Sequence, residues 1–266
     1  MARTIDRMIT MTTARFAANV VIVVSVVLSF GVWVLQRVFP MSGIVDWLGL
    51  SPDYYNFVRH IWALVTYVFV HNDIFHLSIN MLLVYIFTDK FFRVEPSKIF
   101  FMIFFVGGVM GGVFYVLGYQ LLHVFGIVCA PSILLGSSAA AISLYLYGVF
   151  SYNPTLSAKM TFYLRALAVV YISFTVLSLL YSIWIGKPSL SDFAHLGGVQ
   201  AGLVIAFYAR KNRIKAYHEM RLIHCLESRT HILNKLTRSG YDSLTKEEKA
   251  TLLTMKDFPH KNANLE

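Results

Sequence analysis

The sequence predicts an all-α, polytopic membrane protein with six transmembrane helices and a short polar tail. Of its 266 residues, 57% are hydrophobic and 14% are charged, whereas soluble domains carry about 25% charged residues. The apolar residues form successive long runs, and roughly 20 such residues cross a hydrocarbon layer of about 30 Å as a helix. The charged residues gather at the two ends of the chain. These observations exclude an ordinary soluble enzyme.

The apolar runs define the elements in order. The first run follows Arg3, Arg7 and Arg15 and is too long for the core of a signal peptide, which predicts a retained span. The apolar region after Ile61 is interrupted at residues 71–73, which predicts a membrane-surface helix before the second span. The six predicted spans are about 16–39, 74–92, 99–117, 132–150 (directly after Pro131), 160–185 and 191–208. The resulting division is a cytoplasmic N-terminus (1–16), a membrane domain (17–209) and a cytoplasmic, basic helical tail (210–266).

Charge predicts the orientation and the partners. The net charge is +9, and Lys and Arg concentrate at the N-terminus, in the turns near 90–98 and 159, and in the tail. Since positive residues favour the cytoplasmic side, both termini should be cytoplasmic. Basic residues flanking apolar runs predict contact with anionic lipid and not with nucleic acid. Cys129 and Cys225 then fall on opposite sides of the membrane, which argues against a disulfide between them.

The tail carries helix signals and no motif for chemistry. Thr245 followed by Glu248 is typical of a capping box at the start of a short helix reaching about Leu253. Ser239 and Gly240 should separate it from an earlier helix near 231–238.

Four polar residues within the spans are candidates for chemistry: His76, Asn80, Ser138 and His195. Polar groups at membrane depth usually face the bundle interior and mark function, although each alone could simply join two helices. At about 1.5 Å per residue, Ser138 lies about 10 Å beyond Pro131 and His195 about 10 Å beyond Pro188, and these prolines precede spans four and six at the outer face. His76 and Asn80 lie in the first two turns of span two, so all four should meet at one shallow depth.

Small residues accompany this set. Gly136 lies beside Ser138, and Gly198 and Gly202 share a helical stripe with His195. A GxxxG face lets two helix backbones approach closely. The simplest interpretation is helix packing, which would also bring Ser138 and His195 together.

Taken in order, these motifs make the chain resemble the rhomboid family of intramembrane serine proteases, in its bacterial form. The family has a GxSx motif, a histidine followed by GxxxG spacing, and a histidine and asparagine four residues apart. The matching residues are Gly136-Ser137-Ser138-Ala139, His195 with Gly198 and Gly202, and His76 with Asn80. The resemblance covers about 62–208 and includes the stretch from Trp62 that enters the second span.

The resemblance implies an endopeptidase that cleaves single-pass transmembrane proteins near the outer face of the bacterial inner membrane. Ser138 would be the nucleophile and His195 its base, while His76, Asn80 and the Ser138 N–H would stabilise the oxyanion. No metal or other cofactor is implied. The natural substrate and the oligomeric state stay open.

Three other interpretations compete. The first is a pseudoprotease that binds transmembrane helices without cleaving them, prompted by Ala139 where the family usually has glycine. The second is a metal-dependent enzyme built on the histidines, although the H-E-x-x-H pattern is absent. The third is a transporter, which would show internal repeats. Asp192, three residues before His195, could be the acid of a triad, but a helix cap is the favoured interpretation. Ser137 points about 100° away from Ser138 on a helix, so both serines cannot face His195.

Overall fold

A computed structural model describes residues 2–40, 43–92, 95–127, 129–151 and 156–249. Its regular structure is helical, apart from one isolated β-bridge between Leu50 and Leu134, and the predicted all-α class is confirmed. The α-helices of the described residues are α1 (Ala2–Val38), α2 (Ile44–Leu48), α3 (Tyr54–Arg59), α4 (Ala63–Thr66), α5 (Ile74–Phe91), α6 (Ser97–Val124), α7 (Ser138–Phe150), α8 (Ala158–Trp184) and α9 (Leu190–Ser239). The predicted surface helix corresponds to α4 and the 3₁₀ turn Tyr67–Phe69.

Within the described residues, five segments are long and apolar enough to cross a membrane. They are Arg15–Val38, Ile74–Phe91, Ser97–Val124, Ala158–Trp184 and Leu190–Ala216. The sixth apolar helix, α7, has 13 residues, which at 1.5 Å per residue gives about 20 Å. It is therefore shorter than a full span.

The predicted start of the fourth span directly after Pro131 is wrong. The chain before Ser138 is non-helical: Leu134 pairs with Leu50, and Gly136 has a φ of 109°, outside the helical region. Ser138 is thus the first residue of α7 and does not lie about 10 Å along a longer helix. Its depth is set by a non-helical segment that the apolar pattern alone does not reveal.

Side-chain caps account for two other helix starts. Asp73 accepts a hydrogen bond from the backbone N–H of His76 at the start of α5. Ser157 does the same for Met160 at the start of α8. Such caps satisfy N–H groups that have no partner within the helix, and the first of them stabilises the start of the helix that carries His76.

The core of the bundle is α7. Ten of its residues are buried, and it packs against α5, α6 and α8. By contrast, α8 exposes large apolar side chains, including Phe162, Phe174 and Trp184. An apolar surface of this kind is expected of a helix that faces lipid.

Two compact units make up the chain, residues 1–210 and 211–266. Helix α9 continues to Ser239, so the helix predicted near 231–238 is the last part of α9. It ends where predicted, before Gly240, whose φ is 76°. In the second unit, the Thr245 N–H donates to Glu248 and the Glu248 N–H donates to Thr245, which confirms the capping box. Residues beyond 249, to which the predicted helix extends, lie outside the described residues.

Candidate active site

A serine and a histidine lie at hydrogen-bond distance inside the bundle. Ser138 Oγ, on the first residue of α7, is 3.0 Å from His195 Nε2, in the second turn of α9. The two residues are 57 positions apart in the chain, so helix packing creates the contact. A serine bonded to an imidazole nitrogen is the arrangement in which a histidine activates a hydroxyl nucleophile.

Close packing of α7 and α9 makes this contact possible. A Cβ added to Gly198 would lie 2.9 Å from the Ala139 Cα and closer still to the Ala139 carbonyl oxygen. A Cβ at Gly202 would lie 2.8 Å from the Ser143 carbonyl oxygen. Both glycines therefore meet the α7 backbone directly, one and two turns after His195. Only a residue without a side chain fits at this separation.

The turn before Ser138 also requires glycine. Gly136 has a φ of 109°, which side chains rarely allow. A Cβ there would lie 2.6 Å from His76 Cε1 and 2.7 Å from His76 Nε2. The Gly136 N–H donates to the Tyr67 carbonyl oxygen at 2.9 Å. His76 thus packs on the backbone two residues before the serine.

Asn80 lies one turn after His76 and is 3% exposed. Its Nδ2 donates to the His76 carbonyl oxygen at 2.9 Å. An amide group has two N–H hydrogens, so one stays available for another acceptor. Asn80 makes no hydrogen bond to Ser138 or His195 within the described chain.

The Ala139 methyl is directed towards α6. A Cβ at Gly111 would overlap it, so the glycine of α6 provides the room for the extra methyl. Ala139 is 2% exposed. The residue that differs from the common family motif is therefore accommodated by a glycine on the neighbouring helix.

His71 is a polar residue of this region that sequence analysis did not assign to the site. It lies just before α5 and is 1% exposed. Its Nε2 is 3.4 Å from both the backbone nitrogen and the Oγ of Ser137. Its Nδ1 is 3.3 Å from Ser29 Oγ on α1. The signal in the sequence that pointed to it was its place in the stretch from Trp62 to His76, which resembles the family's entry into the second span.

The partners of His71 are consistent with one tautomer. The Ser137 N–H donates to Nε2, so Nε2 must be unprotonated and Nδ1 carries the proton. Burial, together with the neighbouring His76, lowers the pKa of His71 to about 4, which leaves the ring neutral near pH 7. The His71 and His76 rings meet edge to face, with centroids 5.1 Å apart. In the described part of the chain, no group of three or more His, Cys, Asp or Glu side chains could hold a metal ion.

Ser137 and Ser138 therefore contact different histidines. Ser137 is fully buried against His71, whereas Ser138 is hydrogen-bonded to His195 and only partly buried. An activated serine also has to be reached by its substrate, and Ser138 is the more accessible of the two.

Asp192 does not cap its helix in the predicted way. Its carboxylate accepts a hydrogen bond from Ser178 Oγ of α8 at 2.8 Å and none from a backbone N–H of the described residues. The other carboxylate oxygen is 3.9 Å from His195 Nδ1. The N-cap prediction is wrong because Asp192 lies inside the first turn of α9, where its side chain reaches a neighbouring helix.

Comparison with known proteins gives two matches. Residues 58–212, more than half of the chain, match the sequence model of the family described as "Rhomboid domain". The chain is also similar to the "RHOMBOID-like protein 12, mitochondrial" of Arabidopsis thaliana, with 26% identity over 198 residues. That alignment covers 71% of this chain and 58% of the plant protein, so the chain spans little more than half the length of this relative.

Proposed function

This chain belongs to the rhomboid family, and we propose that it is an intramembrane serine endopeptidase with Ser138 as nucleophile and His195 as base. Membership of the family establishes an integral membrane protein whose function is of the protease or pseudoprotease type. The observation that carries the proposal of activity is the 3.0 Å contact between Ser138 Oγ and His195 Nε2.

In the first step, Ser138 Oγ attacks the carbonyl carbon of the scissile peptide bond while its proton passes to His195 Nε2. The carbonyl oxygen becomes an oxyanion. When this tetrahedral species collapses, the C–N bond breaks and His195 delivers the proton to the leaving amine. The product is an acyl ester on Ser138.

In the second step, water attacks the acyl ester and gives a proton to His195. Collapse of the second tetrahedral species breaks the bond between the acyl carbon and Ser138 Oγ. The proton returns from His195 to Ser138, and the new carboxylic acid leaves. No cofactor is required for these steps.

Three donors are proposed to hold the oxyanion: the backbone N–H of Ser138, the free amide hydrogen of Asn80 and the imidazole of His76. The Ser138 N–H belongs to the first residue of a helix, where N–H groups have no partner within the helix. Removing one such donor from comparable sites costs about 10²–10³-fold in rate.

The substrate class follows from the membrane setting. We propose single-pass membrane proteins, cut near the outer face of their transmembrane helix, with both termini of this chain in the cytoplasm. The predominance of Lys and Arg in the N-terminus and tail supports this orientation, and the proposed membrane is the inner membrane of a bacterium.

A fluorescent fluorophosphonate tests the nucleophile without knowledge of the substrate, because Ser138 Oγ would form a bond to phosphorus as fluoride leaves. We expect purified wild type to be labelled, Ser138→Ala and His195→Ala to be unlabelled, and Ser137→Ala to keep its labelling. If folded wild type stays unlabelled beside a labelled rhomboid control, the protein is instead a pseudoprotease that binds helices without cleaving them.

A further inference from the structure

Asp192 is a buried carboxylate close to the proposed base. The residue is 8% exposed, and carboxylates are rarely buried without a polar or charged partner. Its side chain lies between Ser178 of α8 on one side and His195 of its own helix on the other. The carboxylate thus connects a lipid-facing helix to the histidine of the candidate site.

The two carboxylate oxygens have different roles. Oδ2 accepts the 2.8 Å hydrogen bond from Ser178 Oγ, which restrains the rotation of the side chain. Oδ1 is left near His195 Nδ1, at 3.9 Å. The opposite nitrogen of the same ring, Nε2, contacts Ser138. A series of side-chain contacts therefore runs from α8 through α9 to α7, by way of Ser178, Asp192, His195 and Ser138.

We propose that Asp192 is a positioning residue for the reaction, which orients His195 and stabilises its protonated form, and that Ser178 acts through Asp192. The inference rests on the proposed protease function. When Ser138 gives its proton to Nε2, the imidazole becomes a cation, and a carboxylate beside Nδ1 stabilises that cation. The same carboxylate favours the tautomer with its proton on Nδ1, which leaves Nε2 free to accept.

The distance decides how strong this effect should be. At 3.9 Å the oxygen and nitrogen are too far apart for a hydrogen bond, but they are close enough for an ion pair once the ring is charged. Hydrogen bonds of catalytic groups are often long without substrate and shorten in the reacting complex. We therefore expect a smaller dependence on Asp192 than the roughly 10⁴-fold seen when an aspartate bonded directly to the base is lost.

The test measures how fast the full-length protein in mild detergent reacts with a fluorophosphonate, as a function of probe concentration. Asp192→Asn should lower the limiting rate at least about tenfold, while the half-saturating probe concentration stays the same. Asp192→Glu, which keeps the charge, should recover part of the rate. Ser178→Ala should lower the rate by a smaller factor, roughly threefold, because it removes one hydrogen bond to the carboxylate.

A double variant separates positioning from general damage to the fold. If Ser178 acts only through Asp192, the variant that combines Ser178→Ala with Asp192→Asn should react with the probe no more slowly than Asp192→Asn alone. Thr175→Val, which removes a buried hydroxyl one turn earlier on α8, should keep the wild-type rate. The final extent of labelling and the melting temperature report the folded fraction of each variant.

The outcomes are distinct from those for the proposed function. Wild type that is never labelled overturns the protease proposal itself. If wild type is labelled and the Asp192→Asn variant is labelled at the same rate, the proposed role of Asp192 is overturned. If the fold losses in rate of the two single variants multiply in the double variant, the coupling through Ser178 is overturned.

Discussion

At the scale of single residues, the candidate site depends on glycines that meet other atoms directly. Gly136 gives the chain a backbone angle that side chains rarely allow and leaves room for the His76 ring. Gly198 lets α9 approach the backbone of α7 at Ala139. These close contacts bring two distant residues to 3.0 Å, so a single added methyl should disturb the pair.

Gly198→Ala should therefore reduce both activity and stability. The new Cβ would lie 2.9 Å from the Ala139 Cα, and because backbone cannot rotate aside, the two helices must separate. A misplacement of about 1 Å can cost about 100-fold in rate, and overpacking typically costs about 1–3 kcal/mol. The measurements are the rate of fluorophosphonate labelling and the melting temperature in detergent.

Gly31→Ala is the matched control on α1. A Cβ at Gly31 meets nothing within 4 Å, so labelling should be unchanged. Replacing a helical glycine should raise stability by about 0.5–1 kcal/mol. If Gly198→Ala and Gly31→Ala have the same labelling rate and the same melting temperature, the close approach of α7 and α9 is contradicted.

At the scale of elements, α1 is connected to the loop that precedes α5. Ser29 Oγ accepts from the His71 backbone N–H at 3.1 Å, and Trp33 Nε1 donates to the His71 carbonyl oxygen at 2.9 Å. His71 in turn contacts Ser137, at the N-cap of α7. The first helix thus supports the turn that carries Ser138, without containing a candidate catalytic residue.

Two serines of α1, one turn apart and both fully buried, allow a matched comparison. Ser29→Ala should cost about 1–3 kcal/mol, because it leaves polar groups of His71 buried without a partner. Ser25 Oγ has no hydrogen-bond partner among the described residues, so Ser25→Ala should be neutral or slightly stabilising. Melting temperatures of the two variants give the comparison, and a larger loss for Ser25→Ala would refute the proposed connection.

At the scale of the whole molecule, the distribution of Lys and Arg determines the predicted orientation. With both termini in the cytoplasm, the connection between α6 and α7 lies outside, on the same side as the start of α9. Ser138 is the first residue of α7 and His195 lies in the second turn of α9, so both lie near the ends of their helices that face that side. The orientation therefore determines from which side of the membrane a substrate would be cut.

The protein's two cysteines can test this orientation. A membrane-impermeant maleimide applied to intact cells should label Cys129, between α6 and α7, in a Cys225→Ser variant. In a Cys129→Ser variant, Cys225 in the tail should react only after the membrane is permeabilised. Burial raises the pKa of the Cys129 thiol, which slows its reaction, so labelling is followed as a time course. Labelling of Cys225 in intact cells would show that the tail lies outside the cell, opposite to the predicted orientation.

Much of the fold was predictable because membrane insertion imposes a simple pattern. Apolar length alone predicted the segments that correspond to α1, α5, α8 and the first part of α9. It underestimated α6, which continues to Val124 instead of ending near residue 117. The reason is that the length of an apolar run reflects the thickness of the hydrocarbon layer, and a helix can continue beyond that layer.

The class of the molecule, its apolar helices and the candidate site residues could be predicted from the sequence, because they depend on composition and on spacing along one helix. Helix packing was needed to show where α7 begins, that His71 contacts Ser137, and that Asp192 accepts a hydrogen bond from α8. Each of these depends on residues far apart in the chain or on a non-helical backbone. Such contacts follow from how helices pack in three dimensions, and periodicity along one segment does not contain that information.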